Sequence, residues 1–243
     1  MPVPGAARHL QNANPGGPIL VPAESANALV QIALPGGRRL STTPVSTQPH
    51  DATEAGGKIF VADERADSVS VVEGGRRVGR FKVARQPGGV APVDGGRKVA
   101  VVSVRDRVVE LFDARTYKRL GIADAGVGPT HLVTDDKSTL YVTDTAGDAL
   151  LVFRATDDEL ELRRRLAMPT SPYGIDIDRR RERLFVTLQG SNRLVKLWTN
   201  GPRTVATIPT VRQPRAVAVD EETGRAFVTG DEGVVQLVDP ADR

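Results

Sequence analysis

The chain has 243 residues, of which 40% are hydrophobic and 26% are charged, a balance typical of a folded protein rather than a disordered one. Its lack of cysteine excludes disulfide frameworks, cysteine-based zinc sites and thiol nucleophiles. The 33 basic and 30 acidic residues are interspersed, so the formal charge of +3 provides no basic face for nucleic acid. We also expect no membrane span, because no window approaches the roughly 18 apolar residues that one requires.

Prolines that precede apolar stretches recur at intervals of 38 to 45 residues. They are Pro4, Pro49, Pro87, Pro129, Pro172 and Pro214. A second marker keeps the same period, since a Val-Ala or Val-Thr pair comes before a polar turn at Val61, Val142, Val186 and Val228. Such self-similarity predicts repeated structural units within one domain. The units cover about residues 4–48, 49–86, 87–128, 129–171, 172–213 and 214–243.

Each repeat predicts four short strands. Towards the end of the chain we place these strands at residues 203–208, 215–219, 225–229 and 234–238. Residues 157–168 contain good helix formers, but Leu160 and Leu162 alternate with charged residues, which favours a strand. Residues 149–153 are apolar at every position, so we expect both faces of that strand to be covered.

A third marker is an Asx residue two positions before the first apolar residue of a predicted strand. It is found at Asn27, Asp67, Asp106, Asp148 and Asn192, with Glu232 in the shortened last copy. Asx side chains bond to nearby downstream backbone and tolerate the dihedral angles of turns. We therefore interpret this marker as a hairpin turn.

Four-stranded units of about 40 to 45 residues predict an all-β fold, a six-bladed β-propeller of antiparallel blades around a central channel. The segment Leu140-Tyr141-Val142-Thr143-Asp144, with the later Ser171-Pro172-Tyr173-Gly174-Ile175, resembles the YVTN-type β-propeller repeat. The resemblance extends from about Pro4 to Pro240 and implies the fold rather than an activity. It also implies an exported or surface-attached protein, which would be extracellular, periplasmic or on the cell surface, although a cytoplasmic location stays open.

The last blade is predicted to be incomplete at the C-terminus. The chain ends at residues 239–243, where a fourth strand would begin, whereas residues 1–3 occupy the end of a fourth-strand position before Pro4. An open sheet edge promotes association between chains. We therefore expect the native chain to begin earlier, with a leader and a strand that completes the last blade and raises thermal stability.

The sequence contains no hydrolase, zinc-protease or EF-hand motif, and we assign no catalytic residue and no metal ligand. The first strand of each repeat is predicted to lie innermost, so residues just after its proline would gather at one mouth of the channel. His50 and His131 lie one and two residues after such prolines, and His9 lies five after Pro4. The ligand-binding candidates at this mouth are His50, Asp51, His131, Tyr173 and Arg215.

This polar cluster could bind a ligand, hold a metal or act in acid–base chemistry, or it could consist of rim side chains in a wet channel. The leading hypothesis is a non-catalytic binding or scaffold protein that is a monomer, needs no cofactor and holds a protein or small-molecule partner. The alternative is a propeller lactonase or hydrolase with a divalent ion in the channel. That alternative requires carboxylates and histidines to converge, and few such residues follow the prolines.

Overall fold

The strands form six antiparallel sheets in the computed structural model, which describes Gly5, residues 8–135 and residues 137–242. The first blade contains β1 (Gln11–Asn12), β2 (Ile19–Ala23), β3 (Ala28–Ile32) and β4 (Arg39–Pro44). The second contains β5 (Pro49–Ala55), β6 (Lys58–Asp63), β7 (Ser68–Glu73) and β8 (Arg76–Lys82). The third contains β9 (Pro87–Val93), β10 (Lys98–Ser103), β11 (Val108–Asp113) and β12 (Arg119–Asp124).

The second half of the chain continues the same pattern. The fourth blade contains β13 (Pro129–Thr134), β14 (Thr139–Asp144), β15 (Ala149–Ala155) and β16 (Leu160–Ala167). The fifth contains β17 (Pro172–Asp178), β18 (Arg183–Leu188), β19 (Arg193–Trp198) and β20 (Thr204–Pro209). The last contains β21 (Ala216–Asp220), β22 (Arg225–Thr229) and β23 (Val235–Val238).

The protein is thus a six-bladed β-propeller whose last blade has three strands, as the repeat predicted. In each blade, strands that follow one another in the chain pair side by side, and the first strand contacts the first strand of the next blade. The predicted strand in 157–168 is confirmed as β16, and the last-blade strands differ from their predicted bounds by one residue at most. Pro4 and the strand position predicted for residues 1–3 lie outside the described residues.

The core lies between consecutive blades, because side chains alternate across each sheet and both faces meet a neighbour. In the fourth blade, Leu151 and Phe153 pack in a cluster with Leu111 of the third blade, whereas Leu150 and Val152 pack towards the fifth blade. Strand β15 is therefore covered on both faces, as predicted. Full burial of each such side chain contributes about 1.5–3 kcal/mol to folding.

The last blade differs from the others in its exposure. Its second strand, β22, alternates between exposed and buried residues, whereas the second strands β6 and β14 are buried along most of their length. The face that includes Phe227, Val235 and Leu237 is exposed by 40%, 62% and 47%, respectively. Among the described residues, one face of this sheet therefore packs into the core and the other is exposed.

The side chains of the Asx marker form hydrogen bonds between blades, in addition to the turns that the hairpin interpretation predicted. Asn27, Asp67, Asp148 and Asn192 do occupy turns with a positive φ. Each side-chain oxygen, however, accepts a hydrogen bond of 2.7–2.9 Å from the backbone amide of the residue just before the next blade's proline. In chain order these donors are Gln48, Gln86, Ser171 and Gln213. Each such Asx thus clamps its own blade to the start of the following one. Asp106 differs, because its Oδ2 accepts from the amide of Arg85.

The helical content of the described residues is one short 3₁₀ helix, Glu24–Ala26, between β2 and β3. No helix in that part of the chain is long and apolar enough to cross a membrane. The arginine-rich segment 163–165 lies on the outer strand β16 and is exposed, and charged side chains at such an edge discourage pairing with other strands.

Candidate functional site at the channel mouth

The innermost strands place their first residues at one end of the propeller. Pro49, Pro87, Pro129 and Pro172 are the first residues of β5, β9, β13 and β17, and each of these strands contacts the next. Side chains that follow these prolines therefore come together although they are far apart in sequence. We call this region the channel mouth.

The chain's three histidines converge at the channel mouth. The ring centroid of His9 lies 4.7 Å from that of His50 and 4.3 Å from that of His131. The centroids of His50 and His131 are 6.3 Å apart. His50 and His131 are 5% and 7% exposed, so these two imidazoles are removed almost entirely from bulk water, whereas His9 is partly exposed. We refer to His9, His50 and His131 as the histidine cluster.

An inner strand of the third blade lies between the inner strands that carry His50 and His131. His50 belongs to the second blade and His131 to the fourth, whereas β9 of the third blade carries Gly88 and Gly89 after its proline. These two residues contribute no side chain between the rings. A Cβ on Gly89 would lie 2.8 Å from Leu132 Cδ2, so a larger residue there would require the Leu132 side chain to move.

Hydrogen bonds fix the orientation of two of the rings. His131 Nδ1 lies 3.2 Å from the backbone carbonyl oxygen of Tyr173, and His50 Nδ1 lies 3.2 Å from Glu24 Oε1. Carbonyl and carboxylate oxygens accept hydrogen bonds, so the proton of each neutral ring is assigned to Nδ1. The Nε2 atom of each of these two rings then carries the lone pair. His9 Nε2 lies 2.8 Å from His131 Nε2 and donates to it.

The environment of the cluster disfavours imidazolium ions. Burial, followed by repulsion from His50 and Arg8, lowers the pKa of His9 to about 3. Burial and the nearby Arg8 lower the pKa of His50 to about 3, and burial together with His9 holds the pKa of His131 well below its ordinary value. The three rings are therefore neutral at pH 7.

An acidic rim lies beside His50. Arg8 forms ion pairs with both Glu24 and Glu64, and Glu64 Oε2 lies 3.7 Å from His50 Nδ1. Gln48 and Gln86 also donate hydrogen bonds to Glu64. Two carboxylates against one guanidinium and neutral imidazoles leave an excess of negative charge. The sequence did not single out Glu24 or Glu64, since both lie in connections between strands.

The structure brings three of the five predicted mouth residues together. The ring of Tyr173 meets that of His131 edge to face, with centroids 4.6 Å apart. Asp51, in contrast, is directed into the protein: it accepts hydrogen bonds from the amides of Ala52 and Val90. Its contacts therefore link the second blade to the third.

Asp176 makes the same type of link between the fifth and last blades, because it accepts from the amides of Ile177 and Val219 at 2.8 and 2.7 Å. Desolvation raises the pKa of Asp51 to about 7 and that of Asp176 to about 6. Both carboxyl groups thus serve the joints between inner strands.

Arg215 lies at the side of the mouth on the last blade. Its side chain is 57% exposed and its Nε donates to Asp231 Oδ1 at 2.5 Å. The charge of Arg215 is also close enough to Tyr173 for these two side chains to interact electrostatically. No hydrogen bond joins Arg215 to the histidine cluster among the described residues.

Two groups of side chains at the channel mouth have ligand atoms close enough to hold a metal ion. One is the histidine cluster, and the other combines Glu24, His50 and Glu64. Within each group the ligand atoms lie within 4.8 Å of one another. Both groups share His50, so they are alternatives at one place rather than two independent sites.

Solved structures similar to this chain include hydrazine synthase from Kuenenia stuttgartiensis, which is 15% identical with a TM-score of 0.64 over 100% of this chain and 97% of that one. A functionally unknown protein from Desulfotomaculum acetoxidans is 10% identical, with a TM-score of 0.76 over 89% of this chain and 77% of that one. A chain of the mitotic checkpoint complex is 11% identical, with a TM-score of 0.82 over 94% of this chain and 72% of that one. At these identities the likeness concerns the fold alone.

No protein-family model and no curated protein matches the sequence.

Proposed function

We propose that this chain is a YVTN-type propeller that acts as a non-catalytic binding module and holds a protein or small-molecule partner at the channel mouth. The observation that carries the proposal is the convergence of all three histidines there, with Tyr173 beside them. Burial of polar side chains is costly unless they gain partners. A cluster of convergent polar groups at a concave site is typical of a ligand-binding position.

The alternative, a lactonase or hydrolase, needs carboxylates that are free to ligate an ion or to activate water. Asp51 and Asp176 are the carboxylates on the inner strands near the candidate site, and both accept backbone hydrogen bonds. Glu24 and Glu64 are paired with Arg8. These contacts favour binding over catalysis.

The proposal includes export, which rests on the resemblance to the YVTN-type repeat. The exposed face of the last blade and the interblade clamps are compatible with any compartment, so they do not bear on this part. Fractionation of cells that express the native gene tests it, and recovery of the protein in the cytoplasm alone would contradict it.

The binding role is tested by a ligand screen on the full chain, run in parallel with and without a chelator. The panel combines small carboxylates, amino acids, sugar phosphates, lactones and a peptide library, with thermal shift as the first readout and calorimetry as the second. We expect Tyr173→Ala and Arg215→Ala to weaken binding of a hit at least tenfold with little change in melting temperature, because partly exposed rim residues contribute little to packing.

Arg119→Ala provides the matched control, since Arg119 also pairs with a carboxylate, Glu110, but lies on the strand β12 far from the inner strands. Hits that bind equally well to Tyr173→Ala and to wild type would show that the partner site lies elsewhere. Turnover of any lactone that disappears in His131→Gln would support the hydrolase instead.

A further inference from the structure

We propose that the histidine cluster binds one divalent transition-metal ion of the Zn²⁺ class and leaves a coordination position open to the partner. The inference deepens the proposed function and rests on it, since the ion would be the group at the mouth that contacts the partner. The chain has three histidines in all, and their ligand atoms lie within 4.8 Å of one another. They reach this place from β5, from β13 and from the segment before β1.

The second observation is the set of hydrogen bonds behind the rings. Histidines that ligate a metal generally donate their other ring N–H to a carboxylate or a backbone carbonyl, which fixes the tautomer. His50 has this partner in Glu24 and His131 has it in the carbonyl of Tyr173, both at 3.2 Å. In each ring the remaining nitrogen, Nε2, is the atom that carries the lone pair. Two of the three rings are thus already prepared as ligands.

The size of the cluster suits a small ion. Zinc–nitrogen bonds of about 2.0–2.1 Å at tetrahedral angles place ligand nitrogens roughly 3.3 Å apart. The measured 2.8 Å between His9 Nε2 and His131 Nε2 lies about 0.5 Å below that value, and all three ligand atoms lie within 4.8 Å of one another. His9 lies outside the strands, so a rotation of its side chain can open the short distance. That rotation replaces the bond between the two rings with bonds to the ion.

The chemistry of the ligands selects the class of ion. Imidazole nitrogens suit Zn²⁺, Co²⁺, Ni²⁺ and Cu²⁺, whereas Ca²⁺ and Mg²⁺ require oxygen ligands. The nearest carboxylates, Glu24 and Glu64, are bonded to Arg8 and to glutamine amides. Their excess negative charge stabilises a cation beside them. Glu24 is therefore assigned as a positioning residue that acts through His50.

Three protein ligands leave the fourth tetrahedral position free. Tyr173, whose ring meets that of His131 edge to face, would flank the ion on that side. A carboxylate or imidazole of the partner would complete the coordination. The ion would thus convert a cluster of neutral rings into an anchor for an anionic or Lewis-basic group.

Calorimetric titration of the chelator-stripped full chain with Zn²⁺ tests the proposal. We expect one ion per chain, tetrahedral visible bands when Co²⁺ is added instead, and no heat of binding with Mg²⁺. His9→Gln should weaken Zn²⁺ binding at least tenfold, and this variant leaves every strand intact. Glu24→Gln should weaken it by about 10–100-fold, as loss of an outer partner does. Glu161→Gln, which removes an exposed carboxylate on β16, should bind as wild type does.

Zn²⁺ binding that is unchanged in both His9→Gln and His131→Gln would overturn the proposal, as would the absence of binding to a wild-type chain shown to be folded by circular dichroism. Either failure is distinguishable from failure of the binding role. A partner that binds equally well with and without chelator, and is lost with Tyr173→Ala, would refute the ion as the partner's anchor and leave the binding module standing.

Discussion

The interblade clamp at Asn192 makes a quantitative prediction, because its two contributions to stability can be separated. Asn192 has a φ of 53°, and its Oδ1 accepts a hydrogen bond of 2.7 Å from the amide of Gln213. Loss of that bond costs about 1 kcal/mol. An alanine in the left-handed region costs roughly 1 kcal/mol more, a strain that glycine avoids.

We therefore expect Asn192→Ala to lower the free energy of unfolding by about 2 kcal/mol and Asn192→Gly by about 1 kcal/mol. This order reverses the usual preference for alanine over glycine. Asn192→Asp, which keeps the acceptor, should be close to wild type, and so should the control Asn200→Ala, which lies in an exposed turn without a positive φ. Urea unfolding at constant m-value provides the measurement. A glycine variant as unstable as the alanine variant would refute the assigned role of the backbone conformation.

Two further predictions concern the joints and the core. Desolvation raises the pKa of Asp176 from 3.8 to about 6, so the folded chain holds a proton that the unfolded chain has lost, and stability from this group falls as pH rises from about 4 to about 6. Asp176→Asn lacks this titration, so its loss of unfolding free energy relative to wild type should shrink as the pH rises. Because the residue is partly exposed, we expect the loss to shrink by roughly 1–2 kcal/mol between pH 4 and pH 7 in urea titrations. A loss that does not change with pH would argue against the raised pKa of Asp176. Phe153→Ala, at a fully buried position, should lower the free energy of unfolding by about 3–5 kcal/mol. Leu162→Ala, at a position that is 48% exposed, should change it by no more than about 0.5 kcal/mol. Equal losses for the two variants in chemical denaturation would contradict the packing between blades.

The fold was predictable because short sequence patterns recur once in every repeat of about 38 to 45 residues. A proline starts the inner strand in four blades, and the alternation of Leu160 and Leu162 with charges identified β16 against its helix propensity. The alternation in β16 nevertheless did not predict which of its leucines is buried. Leu160 is buried, whereas Leu162, two residues further along the outer strand β16, is 48% exposed.

The candidate site was predictable only in part. His50, His131 and Tyr173 follow marker prolines, so the repeat places them at one mouth. Asp51 occupies the same stretch, yet its carboxyl group turns to the amides of the neighbouring strand, which a repeat pattern cannot distinguish from a rim position. The hydrogen bonds by which the Asx residues clamp successive blades could not be predicted for a related reason. Each joins a side chain to an amide about 20 residues away, and such a contact leaves no local sequence pattern.

The remaining site residues come from irregular segments. His9 precedes β1, Glu24 lies in the 3₁₀ helix and Glu64 follows β6. The orientation of side chains in such segments is set by tertiary contacts rather than by a period of two. The contacts of Arg8 with both glutamates are an example, because they join parts of the chain that no sequence marker relates.

Anomalous diffraction at the zinc absorption edge, from crystals of the full chain grown with one equivalent of Zn²⁺, is the most direct test of the metal site. We expect a single strong peak at the channel mouth, about 2.0–2.1 Å from one ring nitrogen each of His9, His50 and His131. A map without a peak there, or with zinc bound only at surface carboxylates, would contradict it.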